Sequence, residues 1–288
     1  MSNAIHRSVM LRETVDALRP KPGGLYIDAT LGLGGHTEAL LAATAPDGRV
    51  IAVDRDAEAR ALARERLLGF AGRLTVVEGN FARFDENAAL SPCSVDGVLA
   101  DLGVSSLQLD RAERGFSFRR PGPLDMRMDA SGGPTAADLL RTASVEDLEG
   151  WLRRAGEERF AGKLARRLKD AAPAMLTTAD LAEVVARCVP RRGKSHPATR
   201  VFLALRMAVN REMESLDEFL QRAARVLKPG GRLAVLTFHS EEDRRVKEAG
   251  RGGPPWRAVT KKPLAASGEE RAANPRSRSA KLRVLEKI

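Results

Sequence analysis

The sequence predicts an α/β protein in which a helical domain interrupts a doubly wound, mostly parallel sheet. Short apolar runs alternate with amphipathic helical patterns between residues 25 and 101, which is typical of a parallel sheet with helices on both faces. The first run ends in a glycine-rich turn that leads into a helical pattern, like the first βα corner of such a sheet. The alternation stops after Asp101 and resumes at Thr199, so the segment between them is predicted to be an insertion.

The predicted strands are short apolar runs bounded by turn residues. They are Leu25–Ala29, Arg49–Asp54, Arg73–Val77, Val95–Asp101 and Arg232–Phe238. Helical patterns fill the gaps between the first three strands, at Thr37–Ala45 and Ala57–Leu68. This order predicts right-handed crossovers. Two further runs, Trp256–Thr260 and Lys281–Glu286, are expected to form a terminal hairpin beside the parallel strands.

The inserted segment has helical patterns but no convincing strand. One helix carries Phe160, Leu164 and Leu168 at a spacing of four, and another covers Ala179–Val189. We therefore predict a core of residues 1–105 and 199–288, with a small helical domain at 106–198. The longest helical pattern, Thr199–Leu227, is predicted to be one helix that ends at Lys228-Pro229-Gly230-Gly231.

Positive charge is concentrated in two regions of the chain. The net charge is +10, and residues 244–288 alone carry 13 Lys and Arg against 4 Asp and Glu. A second basic stretch, residues 187–206, contains no acidic residue. Such a distribution favours a nucleic-acid partner over a merely solvated tail. The predicted phosphate-binding residues are Arg191, Arg192, Lys194, Arg200, Arg276, Arg278 and Lys281.

The remaining composition is that of a globular protein. Apolar residues make up 43% and charged residues 30% of the chain. No apolar run is long enough to cross a bilayer, and the N-terminus lacks the apolar core of a signal peptide. Two cysteines, Cys93 and Cys188, do not make a disulfide framework, so we expect a cytoplasmic setting and structural roles for both.

The glycine-rich turn, Asp28-Ala29-Thr30-Leu31-Gly32-Leu33-Gly34-Gly35-His36, suggests the ligand. It lacks the dinucleotide spacing because Thr37 stands where the third glycine belongs. A carboxylate in front of the glycines suits a ligand with an ammonium group, such as S-adenosylmethionine. Asp54, at the end of the second strand, would accept hydrogen bonds from ribose hydroxyls, and Phe81 would pack on the adenine. The alternatives are a turn-capping Asp54 and a core Phe81.

Asp101 closes the fourth strand, at the edge where open α/β sheets bind their ligands. An acceptor there would hold an exocyclic amine during methyl transfer. Attack at a ring carbon would instead need a thiolate at this position, and neither cysteine lies there.

His239 and Ser240 follow the fifth strand and have two interpretations. Ser240 and Asp243 have the spacing of a capping box, whereas placement on the ligand side would let His239 and Ser240 touch a flipped base. No second histidine is nearby, so no metal site is predicted.

Several motifs together resemble the RsmH/MraW family, the bacterial small-subunit ribosomal RNA cytosine-N4 methyltransferases. They are Asp101–Asp110, Arg114–Phe118, Gly122–Met128, His196–Arg200 and Asn274–Arg283. The resemblance covers essentially the whole chain. It implies a Rossmann-like class I methyltransferase core with an inserted substrate domain, S-adenosylmethionine as methyl donor and a decoding-region cytosine as target. The implied cofactor contacts are Gly34, Gly35, His36, Asp54, Phe81, Asp101 and Gln108.

Some positions depart from the family pattern, among them Glu241 and Arg245, which stand where apolar residues are common. They affect the expected substrate geometry rather than the reaction type. Two other functions remain as alternatives: a methyltransferase of DNA or of a small molecule, and a non-catalytic RNA-binding assembly factor. Whether the chain acts on free RNA or assembled subunits, and whether it forms a homodimer, is left open by the sequence.

Overall fold

The computed structural model describes residues 7–86, 88, 90–190 and 196–288. The chain divides into two compact units. One consists of the residues up to Gly103 together with Glu214–Ile288, and the other of Val104–Met213. The second unit therefore reaches beyond the predicted insertion of 106–198.

The first unit contains all of the strands of the described chain. They are β1 (Leu25–Asp28), β2 (Arg49–Asp54), β3 (Leu74–Glu78), β4 (Val95–Asp101), β5 (Leu227–Thr237), β6 (Trp256–Ala258), β7 (Leu264–Ala265) and β8 (Lys281–Lys287). Its helices are α1 (Leu11–Ala17), α2 (Gly35–Ala43), α3 (Ala57–Arg66), α10 (Glu212–Val226, from Glu214 onwards), α11 (Ser240–Arg251) and α12 (Gly268–Ala273). Helix α1 is not foreseen by the sequence patterns, because it is only two turns long.

The strands form one sheet with the order β3-β2-β1-β4-β5-β8-β6, and β7 also pairs with β8. The first five positions are parallel, and β8 runs antiparallel to β5. This is the order of a Rossmann-like sheet with an antiparallel strand after β5, so the predicted fold class is confirmed. The two terminal runs do pair, since Trp256 faces Lys287 in an antiparallel ladder.

Alternating side chains of the central strands fill a separate core on each face of the sheet. Ile27, Val98 and Val235 pack with the apolar side of α10. Their neighbours Tyr26 and Leu99 pack on the opposite face with residues of α1 and α2. Because successive side chains of a strand point to opposite faces, near-continuous apolar strands require cover on both sides.

The second unit is helical. Its helices are α4 (Ser106–Asp110), α5 (Ala136–Thr142), α6 (Val145–Arg154), α7 (Ala161–Ala171), α8 (Thr178–Cys188) and α9 (Ala198–Asn210). They enclose one core that includes Leu140, Leu152, Leu164, Leu181 and Leu205. Among its described residues the only β-pairing is an isolated bridge between Pro123 and Thr177. In the described chain as a whole, we find no helix with the length and apolarity needed to cross a membrane.

The predicted single helix Thr199–Leu227 is wrong, because the chain breaks at Arg211. This residue has a left-handed φ of 49° and separates α9 from α10. Just before it, the Asn210 side chain donates to the carbonyl of Met126 at 2.8 Å and accepts from the amide of Met128 at 2.8 Å. Both partners of Asn210 belong to a loop that is distant in the sequence. The apolar pattern of Thr199–Leu227 continues on both sides of Arg211, so it does not reveal the break.

Candidate active site

The corner between β1 and α2 depends on Gly34. It is the N-cap residue of α2 and has φ 80°, in the left-handed region that disfavours side chains. A Cβ there would also lie 2.9 Å from Leu67 Cδ1. Gly35 begins the helix, and a Cβ on it would lie 2.0 Å from Ser8 Oγ. Both glycines therefore keep the backbone of this corner free of side chains.

Asp28, which the sequence analysis expects near an ammonium group of the ligand, is bound by groups of the chain itself. Its side chain is fully buried: Oδ2 accepts a hydrogen bond from Thr37 Oγ1 at 2.7 Å, and Oδ1 accepts one from the Thr30 amide at 3.1 Å. Burial raises the pKa of Asp28, against the opposing effects of His36 and Thr37. Asp28 thus stabilises the turn between β1 and α2 through its hydrogen bonds with Thr30 and Thr37.

Asp54 ties the end of β2 to the same corner. Its Oδ2 accepts from the Gly32 amide at 2.8 Å, and its Oδ1 accepts from the Asp56 amide at 2.9 Å. Burial raises the pKa of the Asp54 carboxyl, and these backbone donors oppose that shift. The second acceptor site of each oxygen leaves Asp54 able to bind further hydroxyl groups.

Asp101 ends β4 beside the corner. Its amide donates to Thr30 Oγ1 at 2.7 Å, and its Oδ2 lies 3.6 Å from His36 Nε2. At that distance the contact is an ion pair rather than a hydrogen bond. The buried Oδ1 of Asp101 has no hydrogen-bond partner among the described residues, and neither have the two ring nitrogens of His36.

The charge on His36 is stabilised by its neighbours. Burial by itself lowers the pKa of the imidazole, but the carboxylates of Asp101 and Asp28 outweigh that effect and raise the pKa above its ordinary value of 6.5. His36, the second residue of α2, is therefore a buried histidine whose charge is favoured by the carboxylates of Asp101 and Asp28.

Phe81 follows β3 in a short 3-10 turn, Phe81–Arg83, whose N-cap is the side chain of Asn80. Its ring centroid lies 5.6 Å from that of Phe219 on α10, and the planes are tilted by 57°. Phe81 is half-buried, so part of the ring is accessible. This leaves both predictions for the ring, core packing and adenine contact, compatible with its position.

The predicted capping box of Ser240 and Asp243 is wrong by one residue. His239 is the N-cap of α11: its Nδ1 accepts from the Glu242 amide at 3.4 Å, and Glu242 Oε2 accepts from the His239 amide at 3.3 Å. His239 Nε2 lies 3.1 Å from Glu242 Oε1. Ser240 is exposed, and Asp243 instead binds Arg283 at 2.7 Å. The His239 ring is held by the cap, whereas the Ser240 hydroxyl takes no part in it.

Gln108 lies in the second unit, where it has a structural role. Its Oε1 accepts from the Ser105 amide at 3.1 Å, and its own amide donates to Ser105 Oγ at 3.2 Å. This is a capping box at the start of α4. The cofactor contact implied by the resemblance stays a prediction.

The predicted phosphate-binding residues differ in how far they are engaged by acids. Arg276 and Arg278 are both exposed in the 3-10 turn before β8. Arg278 makes no ion pair with a described residue, whereas Lys281 lies 3.2 Å from Asp243. Arg200 lies 3.2 Å from the buried Glu157 of its own unit. The remaining three lie outside the described residues: Arg191, Arg192 and Lys194.

Sequence reasoning missed the side chains that join these parts. Thr30 links β4 to the corner, Thr37 holds Asp28, and Phe219 supports Phe81. Thr37 was visible only as the residue that spoils the dinucleotide spacing, and Thr30 only as a turn residue. The site as a whole collects Gly34, Gly35, His36, Asp54 and Asp101 at the carboxyl edge of one sheet. That edge is where open α/β sheets bind ligands.

Comparison with known proteins places the chain in a family. The model of the MraW methylase family matches residues 3–288. The chain is 50% identical over 287 residues to ribosomal RNA small subunit methyltransferase H of Gloeobacter violaceus, covering 99% of this chain and 89% of that protein. The protein of the same name from Geobacter sp. (strain M21) is 47% identical over 313 aligned residues and is covered completely, as is this chain.

Among solved structures, an rRNA methylase from Streptococcus thermophilus is 14% identical, with a TM-score of 0.47 over 99% of this chain and 98% of that one. This likeness is too low to bear on fold or function. The family match, by contrast, spans the corner, the strand ends and the helical unit. The chain therefore belongs to the MraW methylase family.

Proposed function

We propose that this chain transfers a methyl group from S-adenosylmethionine to the exocyclic N4 of a cytidine in small-subunit ribosomal RNA. Family membership and the names of both relatives support methylation of that RNA. One structural observation carries the chemistry: a buried carboxylate oxygen of Asp101 has no donor among the described residues, and it lies beside the glycine corner. A buried acceptor without a partner is costly unless a ligand completes it.

The residues at the sheet edge fit the methyl donor. Gly34 and Gly35 let the backbone of the corner pass close to Leu67 and Ser8, which sets the course of the turn from β1 into α2. Asp54 retains acceptor capacity for ribose hydroxyls, and Phe81 presents a partly accessible ring for the adenine. When bound, the donor supplies an electrophilic methyl group on a positively charged sulfur.

Asp101 has the role of holding the target amine. The lone pair of an exocyclic amine is delocalised into the ring, so the nitrogen is a poor nucleophile. An acceptor that binds its N–H favours the pyramidal, partly positive nitrogen that exists chiefly in the transition state. The pairing of Asp101 with His36 fixes the carboxylate at the strand end, and in-line placement of the amine supplies much of the remaining rate.

The positions of the cysteines favour the exocyclic nitrogen over a ring carbon as the target. Methylation at C5 needs a thiolate beside the donor. Cys93 lies in the turn before β4, at the edge opposite the carboxyl ends, and Cys188 is buried on α8. The cytidine itself must leave its stack to reach the donor, which is easiest in single-stranded or looped RNA.

The decisive experiment follows the labelled methyl group. Purified protein is incubated with labelled S-adenosylmethionine and, in separate reactions, naked small-subunit RNA, assembled small subunits and DNA. Digestion to nucleosides and mass spectrometry should then identify N4-methylcytidine in an RNA reaction. Labelling of DNA alone, or of another nucleoside, would contradict the proposal.

An Asp101→Ala variant tests the assigned role. We expect cofactor binding to persist in calorimetry while turnover falls by roughly 10²- to 10³-fold, the usual effect of losing one preorganised polar contact. Asp16→Ala, at an exposed position on α1, is the matched control. Cofactor binding by the wild type without transfer to any substrate would favour the assembly factor, and unchanged turnover in Asp101→Ala would refute the role of Asp101.

A further inference from the structure

The exposed face of α7 in the helical unit is basic. The helix buries Leu164, Ala165 and Leu168, and turns Lys163, Arg166 and Arg167 to solvent. These three lie three and four residues apart, so they share one face. Arg159, just before the helix, is also exposed, with its guanidinium 5.4 Å from the centroid of the Phe160 ring. We call these four residues the α7 basic face.

The arginines of the α7 basic face lack the carboxylate partners that one arginine on each of three other helices of this unit has. On α5, α6 and α8, Arg141 pairs with Asp138 at 2.5 Å, Arg153 with Glu149 at 2.6 Å, and Arg187 with Glu183. In the part of the chain that the structure describes, Arg166 and Arg167 make no ion pair and no hydrogen bond through their side chains. Asp170, which shares this face, is exposed and pairs with neither arginine among these residues.

The arrangement is unfavourable for an isolated helix. Like charges one turn apart repel and reduce helix stability. Lys163 is partly compensated, since its Nζ lies 3.4 Å from the Cys188 carbonyl at the end of α8. That contact joins α7 to the C-terminal end of α8. Arg166 and Arg167 make no such contact among the described residues, so their exposed guanidinium groups are available to an external anion.

We propose that the α7 basic face binds the phosphate backbone of the RNA substrate. The inference rests on the proposed function, because it takes RNA as that substrate. Guanidinium groups suit phosphate since their planar donors bind two oxygens at once. Contacts of this kind position an RNA without reading its sequence. The face is therefore expected to contribute to affinity and orientation, and not to the chemical step.

The test compares two double variants with the same change in charge. Arg166→Gln/Arg167→Gln removes the uncompensated pair, and Arg141→Gln/Arg153→Gln removes two exposed arginines of the same unit that already have carboxylate partners. Binding of small-subunit RNA is measured across a range of salt concentrations. For the α7 variant we expect weaker binding and a salt slope reduced by about two, one for each lost phosphate contact. The control should keep a slope close to that of the wild type.

Two further measurements separate binding from folding. The α7 variant should keep its melting temperature because both side chains are exposed and make no ion pair among the described residues, and its affinity for S-adenosylmethionine should be unchanged. Equal slopes for the α7 variant and wild type, or an equal loss in the control variant, would overturn the inference while leaving methylation of RNA by the wild type intact. Failure of the wild type to bind or methylate RNA would refute both proposals.

Discussion

At the residue scale, Gly34 and Gly35 serve the corner for different physical reasons. Gly34 needs a backbone conformation that other residues adopt only with strain, as its φ of 80° indicates. Gly35 has an ordinary φ and is limited by space alone, because Ser8 Oγ occupies the position a Cβ would take. A clash with a single side-chain atom can be relieved by a second substitution, whereas backbone strain cannot.

Gly35→Ala is expected to destabilise the protein by about 1–3 kcal/mol, the usual cost of overpacking. Ser8→Ala in the same chain should recover much of this loss, since the nearest remaining atom, Ser8 Cβ, is 3.3 Å away. Urea unfolding of the two single variants and the double variant measures the coupling. Gly69→Ala, where a Cβ meets nothing within 4 Å, is the control. Additive effects of Gly35→Ala and Ser8→Ala would show that the clash is not the cause.

His36 gives the fold a pH dependence of known sign. Its pKa is raised above 6.5 in the folded state, so the folded state binds this proton more tightly than the unfolded chain does. The associated stability is complete below pH 6.5 and is lost as the pH rises through the raised pKa. As the pH rises above 6.5, the wild type should therefore lose a component of its unfolding free energy that His36→Gln lacks. Parallel pH profiles of the two proteins would contradict this assignment.

At the element scale, the sequence predicts those strands and helices that appear as regular patterns of apolar residues. The parallel strands, their order of appearance and the helical insertion follow from apolar runs and turn residues, which act locally. The break at Arg211 does not, because the side chain of Asn210 takes its partners from Met126 and Met128 in a distant loop. The prediction for the start of α11 is wrong for another reason. Ser240-x-x-Asp243 and His239-x-x-Glu242 have the same spacing, and the sequence does not show that the Asp243 carboxylate binds the distant Arg283 instead.

The turn that carries Phe81 is joined to α10 by an ion-pair network around the buried Asp85. Asp85 has no exposed side-chain surface and accepts from Arg222 at 2.8 Å and from Arg225. Burial by itself would raise the pKa of Asp85, but the two arginines hold it below its ordinary value. Arg222 also lies 2.7 Å from Glu86 and 2.9 Å from Glu218. The network therefore fixes the position of Phe81 through its own turn.

Asp85→Ala is expected to cost about 3 kcal/mol or more of unfolding free energy, since it breaks a buried ion pair and leaves Arg222 with only its more exposed partners. It should also weaken cofactor binding, because Phe81 loses its fixed position. Arg83→Gln, which removes an exposed pair with Glu218 from the same turn, should cost less than about 1 kcal/mol. Chemical unfolding and calorimetry measure the two effects. A loss of stability with unchanged cofactor affinity would show that the ion-pair network does not position Phe81 for cofactor binding.

At the scale of the whole molecule, the distribution of charge and the strand topology are predictable from the sequence. The ion pairs that individual charged side chains form are not. The basic excess of residues 244–288 is a matter of counting, and the gathering of Asp54 and Asp101 at one edge follows from parallel strand order. Sequence alone does not say which Lys and Arg side chains pair with carboxylates of the folded chain. Lys281 lies beside Asp243 in the structure, whereas Arg278, two residues after Arg276, is exposed. Asp28, expected at the ligand, is buried and bonded to Thr30 and Thr37.

The difference between Arg278 and Lys281 gives a prediction for the net effect of the basic C-terminal segment on RNA binding. Arg278 makes no ion pair with any other described residue, so Arg278→Gln should weaken RNA binding and lower the salt slope by about one. Lys281→Gln should change the slope less, because Lys281 already neutralises Asp243 in the free protein. It should cost at most about 1 kcal/mol of stability, since Arg283 stays 2.7 Å from Asp243. Both variants lose one positive charge, so equal changes in slope would mean that total charge, and not its placement, governs the binding of RNA.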